Sequence, residues 1–94
     1  MAAYCVGNIC VKDAKAWEQY RGRVAATLVQ YGGEVMFRGD LKQVFSGAGG
    51  HDSVVALRFE NPEAAKRWHD SPEYQALVPI REQGAEVTLM LYQD

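Results

Sequence analysis

The last strand-like segment of the chain, E-V-T-L-M-L-Y (residues 86–92), carries large apolar side chains on both of its sides. Because successive side chains of a strand point to opposite faces, three aliphatic residues face one way, while Met90 and Tyr92 face the other way with Thr88. An antiparallel strand with one face in water alternates apolar and polar residues instead. The segment therefore predicts a sheet that is covered on both of its faces.

The length of the chain limits what can supply that cover. Its 94 residues are enough for one domain and too few for two, so we expect a single domain over residues 1–94. A domain of this size buries a modest core, yet 48% of its residues are hydrophobic. We therefore predict a homodimer in which a second copy packs on the uncovered face of the sheet. The alternative is a few hydrophobic side chains left in solvent.

The first third of the chain predicts a strand followed by a helix. Residues 3–11 are rich in β-forming side chains. Large apolar residues then recur at spacings of three and four from Ala14 to about residue 30, which is the period of an amphipathic helix. Asp13 is placed to cap the start of this helix, and Gly32-Gly33 is placed to end it.

The middle of the chain predicts a hairpin. Strand-like runs at 34–38 and 41–46 flank Gly39-Asp40, and a glycine at the first position of a two-residue loop suits a type II′ turn. The segment G-A-G-G-H-D that follows is expected to be a flexible loop. A further strand with alternating apolar residues then covers residues 53–60.

Two helix starts in the last third of the chain share one local code. Asn61-Pro62 and Ser71-Pro72 each place a capping side chain before a proline, whose missing N–H a helix start would leave unbonded anyway. Pro79 is expected to end or kink the second of these helices. With the final strand, and with one strand-like run more than the pattern needs, we predict the order β-α-β-β-α-β, which is the ferredoxin-like pattern, an α+β fold with an antiparallel sheet and both helices on one face.

Three stretches of the sequence, Y-G-G-E-V-M-F-R-G, F-E-N-P-E-A-A-K-R-W-H-D-S-P-E-Y-Q-A-L and P-I-R, closely resemble the bacterial family called domain of unknown function 1330. The resemblance covers nearly the whole chain, from Tyr4 to Tyr92. It implies the dimeric α+β barrel superfamily, in which two ferredoxin-like subunits pack sheet against sheet. That superfamily includes cofactor-free monooxygenases, isomerases, dehydratases, haem proteins and plain ligand binders, so the resemblance implies a fold and not a reaction.

Two arginines are the leading candidates for ligand binding. Arg38 and Arg81 match positions at which the family pattern carries arginine, and a guanidinium offers a rigid fork of donors to a carboxylate, enolate or phosphate. Strand alternation places Arg38 on the face opposite to Val35. Tyr74 and Arg81 are two helical turns apart and share a face if the helix continues past Pro79. Either these side chains edge an anion-binding pocket, or the arginines pair with acids to fix the fold or the dimer.

Aromatic side chains are expected beside that pocket. Trp68 lies on the inward stripe of its helix and is expected in the core, where its ring can also line a cavity. Tyr4 and Tyr20 carry hydroxyls that need a partner when buried, so each is a candidate to hold a polar ligand. His51 and His69 have no orienting partner at local spacing and are expected to be solvated surface residues.

Composition and spacing argue against several classes of function. Acidic and basic residues are interspersed and the net charge is −2, so no nucleic-acid partner or membrane anchor is expected. No apolar run is long enough for a membrane helix, and the N-terminal residues lack the pattern of a signal peptide. Cys5 and Cys10 point to opposite faces of a strand, so we expect reduced thiols and a cytoplasmic setting. No metal or cofactor is expected, because the spacing of the histidines and cysteines does not suit one.

Three functions remain open. The first is a cofactor-free enzyme that uses Arg38, Arg81 and a tyrosine to bind and polarise a small oxygenated or anionic substrate, for isomerisation, dehydration or oxygenation. The second is a non-catalytic homodimer that binds a small ligand in the same cavity. The third is a structural dimer without an open pocket.

Overall fold

The computed structural model describes residues 2–94. Its strands are β1 (Ala3–Val11), β2 (Glu34–Asp40), β3 (Ser53–Phe59) and β4 (Ala85–Gln93). Its helices are α1 (Ala14–Leu28), which continues as a 3₁₀ turn (Val29–Tyr31), α2 (Pro62–His69), α3 (Pro72–Gln75) and α4 (Val78–Gly84). The order is β-α-β-β-α-β, with the short helices α3 and α4 placed before the last strand.

The four strands form one antiparallel sheet in the order β2-β3-β1-β4. Alternate residues of β1, among them Ala3 and Cys5, are buried against the helices. The helices therefore cover one face of the sheet, and the ferredoxin-like α+β prediction is confirmed. Within residues 2–94, no helix is both long enough and apolar enough to cross a lipid bilayer.

The helix boundaries follow the local signals of the sequence. Asp13, Asn61 and Ser71 each accept a hydrogen bond from a backbone N–H two or three residues further on. These contacts satisfy N–H groups that the first turn of a helix leaves without a partner. Gly32 closes the turn after α1 in the left-handed conformation, with φ of 72°, which a residue without a Cβ adopts without strain.

Pro79 was expected to end or kink a helix, and that prediction is wrong. The helix that begins at Pro72 is a single turn that ends at Gln75. Pro79 lies in the first turn of α4, where a proline is tolerated because its missing N–H has no partner to lose. The chain therefore starts a new helix at this proline.

The predicted hairpin at Gly39-Asp40 is also wrong. β2 continues through both residues and pairs with β3 as far as Asp40 opposite Ser53. Residues 41–46 form no strand, and the N–H of Leu41 donates to the carbonyl of Asp52, which closes a wide connection between β2 and β3. A ladder that can extend to the partner strand satisfies more backbone groups than an early turn would.

A bulge in β2 reverses the expected direction of Arg38. Val35 lies opposite Leu57 and Phe37 lies opposite Ala56, so Met36 has no partner in the register. One extra residue shifts every later side chain of a strand to the other face. Arg38, opposite Val55, therefore faces the helices together with Val35, and the prediction of opposite faces is wrong.

The corner between α2 and α3 is part of the hydrophobic core. Trp68 and Tyr74 are fully buried, with ring centroids 4.2 Å apart, and Phe59 lies 5.5 Å from the Trp68 ring on the sheet side. The indole Nε1 of Trp68 donates to Thr27 Oγ1 at 2.9 Å. Ser71, which is buried, donates through Oγ to the Trp68 carbonyl and accepts from the Tyr74 N–H. The prediction that Trp68 is a core residue is confirmed.

The face of the sheet that points away from the helices is uncovered by this chain. One row of the sheet there runs Phe37–Ala56–Val6–Met90. Phe37 is 53% exposed and Met90 is 45% exposed. We call this the open face, and define it by that row and by the neighbouring Tyr92, which is also half-exposed. Its apolar character agrees with the pattern of the last strand.

The two cysteines of β1 point to opposite faces, as predicted. Cys5 faces the helices, where burial raises the pKa of its thiol to about 11. Cys10 is partly buried on the other side, where its Sγ donates to the Gly50 carbonyl. Both thiols are free.

Candidate functional site

A cavity of about 390 Å³ lies between α1 and the helix-facing side of the sheet. The strands supply aliphatic side chains, among them Val55, Val87 and Leu89. Helical residues add aromatic rings and β2 adds one cation, so that the wall also includes Trp17, Tyr20, Arg38, Trp68 and Tyr74. A largely apolar cavity with a few convergent polar groups is the usual form of a small-molecule site.

A glycine lies in the sheet row beside this cavity. The row runs Arg38–Val55–Gly7–Leu89. A Cβ at Gly7 would lie 3.1 Å from Val55 Cγ1, which is a tight contact, and 3.5 Å from Leu89 Cδ1, which is an ordinary one. The absence of a side chain at Gly7 therefore lets Val55 and Leu89, which both line the cavity, pack over the glycine.

Two tyrosines and an arginine form a hydrogen-bonded chain at the helical side of the cavity. Arg81 Nη1 donates to Tyr74 Oη at 2.9 Å, and Tyr74 Oη lies 3.0 Å from Tyr20 Oη. The Tyr20 ring stacks on Trp17 with centroids 5.1 Å apart. Residues from three helices are thus held in one arrangement, because α1 supplies Tyr20, α3 supplies Tyr74 and α4 supplies Arg81.

Burial governs the protonation of Tyr20. It raises the pKa of the Tyr20 hydroxyl far above its usual range, and Tyr74 raises it further, against the opposing charges of Arg81 and Arg38. The hydroxyl is therefore protonated throughout the ordinary pH range. Tyr20 can donate a hydrogen bond to a ligand, and it cannot act as a base near neutral pH.

The two arginines differ in their surroundings. Arg38 is exposed, but it lines the cavity, where partial desolvation and the like charge of Arg21 lower its pKa; it forms no ion pair with any carboxylate of residues 2–94. Burial also disfavours the charge of Arg81, but Tyr74, Tyr20 and Glu82 together outweigh that cost and raise its pKa. Arg81 does not line the cavity, and it contacts Glu82 at 3.4 Å. A guanidinium stays charged in both places.

Comparison with known proteins identifies the family of this chain. A family model described as "Domain of unknown function (DUF1330)" matches residues 2–94. The chain belongs to the DUF1330 family. No curated protein matches its sequence.

Solved structures similar to this DUF1330 protein show the same fold at low sequence identity. A Rhodopseudomonas palustris protein of unknown function is 15% identical with a TM-score of 0.84, over 99% of this chain and 82% of that one. SnoaB, a cofactor-independent oxygenase from Streptomyces nogalater, is 16% identical with a TM-score of 0.71, over 99% and 92%. A DABB (dimeric α+β barrel) family protein with a ferredoxin-like fold from Mesorhizobium loti is 17% identical with a TM-score of 0.69, over 99% and 96%. These likenesses show the fold alone.

The DUF1330 structure brings together most of the residues that the sequence proposed for a site. Tyr20, Arg38, Trp68 and Tyr74 line one cavity, and Arg81 reaches it through Tyr74. Tyr4 is elsewhere, because it points to the open face, where its hydroxyl donates to the Asp94 carboxylate at 3.3 Å.

Sequence reasoning missed Trp17 as part of the cavity. It could have been found, because it lies three residues before Tyr20 on the same stripe of α1. Neither His51 nor His69 lines the cavity. His69 is half-exposed, as predicted, but its Nδ1 lies 3.1 Å from Asp70 Oδ1, so the prediction that it has no local partner is wrong. Across residues 2–94, no group of three or more His, Cys, Asp or Glu side chains is placed to hold a metal ion.

Proposed function

We propose that this DUF1330 protein binds a small oxygenated or anionic metabolite in the cavity, and acts on it as a cofactor-free enzyme of the dimeric α+β barrel type. One observation carries the proposal: Arg38 and Tyr20 line the same largely apolar cavity of about 390 Å³. Arg38, which is exposed, offers a cation and Tyr20, which is buried, offers a neutral donor, and such a pair suits an oxygen that carries, or develops, negative charge. The proposed chemistry is isomerisation, dehydration or oxygenation.

The likeness to SnoaB supports the enzymatic part of this proposal, because that protein is a cofactor-independent oxygenase with the same fold. A second candidate is non-catalytic binding of the same kind of ligand. It is favoured by the absence of a histidine from the cavity wall and by the high pKa of Tyr20, which leave no buried base there within residues 2–94. Glu18 and Asp40, which also line the cavity, are exposed.

Calorimetric titration with 2-naphthoate, 2-naphthol and 2-naphthylmethylamine tests the binding proposal, because the three probes share a ring and differ in charge. We expect the carboxylate to bind best. Arg38→Gln should weaken its binding by roughly tenfold, since one charge-assisted hydrogen bond is removed. Val87→Phe should abolish binding, because the larger ring occupies the cavity.

Arg67→Gln is the matched control, because Arg67 is exposed on α2 and does not line the cavity. It should bind 2-naphthoate like the wild type. Equal affinity for all three probes, or full binding by the Val87→Phe variant, would contradict the proposal. Deuterium exchange at C1 of 2-tetralone, followed by NMR, separates the two candidates: exchange faster than in buffer supports the enzyme, and binding without exchange supports the non-catalytic protein.

The open face supports the further proposal of a homodimer in which two sheets pack face to face. Phe37, Met90 and Tyr92 are about half-exposed on it, and the adjoining connection adds Phe45, which is 91% exposed. A row of half-exposed apolar side chains on one face of a small domain is typical of a contact with another protein surface. The DABB family likeness agrees with a second copy as the partner.

Met90→Lys is expected to convert the dimer to a monomer, because a lysine in the middle of the apolar contact would be buried without a partner. The dissociation constant should rise by on the order of a hundredfold or more. Sedimentation velocity at micromolar concentration measures the change. Val29→Lys is the control, since Val29 is an exposed apolar residue on the helical side. A monomeric wild type, or a dimer that tolerates Met90→Lys, would contradict this interface.

Two other predictions from the sequence stay as proposals. One is that residues 1–94 form a single domain. The other is a cytoplasmic setting, which the free state of both cysteines supports.

A further inference from the structure

We infer that Tyr20 presents its hydroxyl hydrogen to the cavity and that Arg81, from outside the cavity wall, fixes this direction. Tyr20 is then the residue that donates to the ligand, and Arg81 is a positioning residue. The inference rests on the proposed function, because it specifies which atom of the ligand the cavity would hold. It follows from the donors and acceptors of three side chains.

The chain of hydrogen bonds starts at a group that can only donate. A guanidinium has five N–H donors and no acceptor. Arg81 Nη1 lies 2.9 Å from Tyr74 Oη, so Tyr74 must accept this hydrogen bond with one of its oxygen lone pairs. The direction of the first link is therefore fixed by the chemistry of arginine.

Burial fixes the direction of the second link. Tyr74 has no exposed surface, so its hydroxyl hydrogen has no water to bond to. Within residues 2–94 its hydroxyl has two hydrogen-bond partners, Arg81 and Tyr20, and only Tyr20 Oη, at 3.0 Å, can accept. If Tyr20 were the donor instead, a buried O–H would lose its acceptor, which is costly in a folded protein. Tyr74 therefore donates to Tyr20.

The last hydrogen of the chain belongs to Tyr20. Its oxygen accepts from Tyr74, and no other hydrogen-bond partner for its hydroxyl is present among residues 2–94. Tyr20 lines the cavity, so its hydrogen is directed there. The raised pKa keeps this hydrogen in place at neutral pH. The positive charge of Arg81, at the other end of this series of hydrogen bonds, also polarises each hydrogen bond towards the cavity and makes the Tyr20 hydroxyl a stronger donor.

The ligand that this arrangement selects carries an oxygen acceptor, and most of all an oxyanion: a carboxylate, a phenolate or an enolate. Arg38 lines the same cavity from the sheet and is expected to supply charge to the same ligand. Beside Tyr20 and Arg38, a ligand that offers only N–H donors, such as an ammonium, would meet a donor and a cation, and the carboxylates of the cavity wall, Glu18 and Asp40, are exposed. The cavity is therefore expected to discriminate by hydrogen-bond polarity as well as by size.

Ionisation of bound 4-nitrophenol tests the direction of the chain, because its phenolate absorbs visible light and its phenol does not. The wild type should bind the phenolate at least tenfold more tightly than the phenol. In Tyr20→Phe this preference should fall by about tenfold, the effect of one hydrogen bond to a charged acceptor. Arg81→Met should lower it by a few fold, and Arg81→Lys, which keeps a donor to Tyr74, should restore most of it.

Tyr31→Phe is the matched control, because the Tyr31 hydroxyl donates to Glu73 at 3.1 Å and does not line the cavity. It should leave the phenolate preference unchanged. If Arg81→Met does not fold, Tyr74→Phe removes the same link and should give the same decrease.

Failure of the inference differs from failure of the proposed function. If neither 2-naphthoate nor 4-nitrophenol binds the wild type, the proposed function is wrong, and the inference is wrong with it. If both bind but Tyr20→Phe leaves the phenolate preference unchanged, the binding function stands and Tyr20 is not the donor. If Tyr20→Phe lowers the preference and Arg81→Lys lowers it as much as Arg81→Met, the directing role of Arg81 is overturned.

Discussion

Replacing Trp68 by alanine is expected to lower the free energy of unfolding by about 3–5 kcal/mol, the range for removing a large buried aromatic side chain. The indole ring is 1% exposed and lies between Phe59 on the sheet and Tyr74 on α3. Its removal leaves a cavity where α2, α3 and β3 meet. It also removes the indole N–H that donates a hydrogen bond to Thr27 Oγ1. For a domain this small, such a loss is a large part of the total stability. Urea unfolding followed by circular dichroism measures it.

The second tryptophan provides the control for this substitution. Trp17 is only partly buried, stacks on Tyr20 and lines the cavity. Trp17→Ala should lower the free energy of unfolding by clearly less than Trp68→Ala, since the Trp17 ring fills less of the core. Equal losses for Trp17→Ala and Trp68→Ala would show that the corner between α2 and α3 does not hold the fold together as described.

Replacing Gly84 by alanine, which adds a single methyl group, is expected to lower the free energy of unfolding by about 3 kcal/mol, the upper part of the range for overpacking. A Cβ there would lie 2.6 Å from the Trp17 backbone nitrogen and 2.8 Å from its Cα. Backbone atoms cannot turn away as a flexible side chain can, so α4 would have to move off α1. The Gly84 carbonyl also accepts from the N–H groups of Lys12 and Asp13, at 2.8 and 3.0 Å, and this junction would open.

Gly22→Ala is the matched control, and its effect should have the opposite sign. Gly22 lies within α1, and a Cβ there would meet nothing within 4 Å. An alanine in an exposed helix interior is more favourable than glycine by about 0.5–1 kcal/mol. The same chemical change should therefore destabilise at one position and stabilise at the other. A Gly84→Ala protein as stable as the wild type would show that α1 and α4 do not need this close approach.

The parts of the fold that the sequence predicted correctly depend on local chemistry. Asp13, Asn61 and Ser71 cap helices with bonds that reach only two or three residues, so neighbouring residues suffice to recognise them. The helical stripe of α1 and the apolar sides of the last strand need only a period. The element order and the fold class follow from these signals.

The two errors in β2 have a common cause, which is that its conformation depends on its partner. Gly39-Asp40 has the chemistry of a turn, but the ladder to β3 continues past it to Ser53. The extra residue at Met36 is defined only by what lies opposite, and β3 is far away in sequence. Strand alternation alone therefore placed Arg38 on the wrong face.

The candidate site was predictable in its residue types and not in its geometry. Arg38, Tyr20 and Tyr74 are side chains that bind anions and polar oxygens wherever they meet. Tyr4 belongs to the same class, but both sides of β1 carry apolar residues, so its face could not be read from the sequence. The link from Arg81 to Tyr74 crosses a break between helices and depends on tertiary packing.

Because of the bulge in β2, the number of residues in that strand does not by itself determine the face of the sheet on which Arg38 lies. Residue 36 has no partner on β3. A related chain that lacks this residue would therefore keep Val35, Phe37 and Arg38 paired with the same three positions of β3. A one-residue gap at this position of an alignment would leave the side chains that β2 directs towards the cavity unchanged. Loss of any paired residue between Phe37 and Asp40 would instead send part of the strand through to the other surface of the sheet. Evolution can therefore shorten this strand in one place without moving its cation.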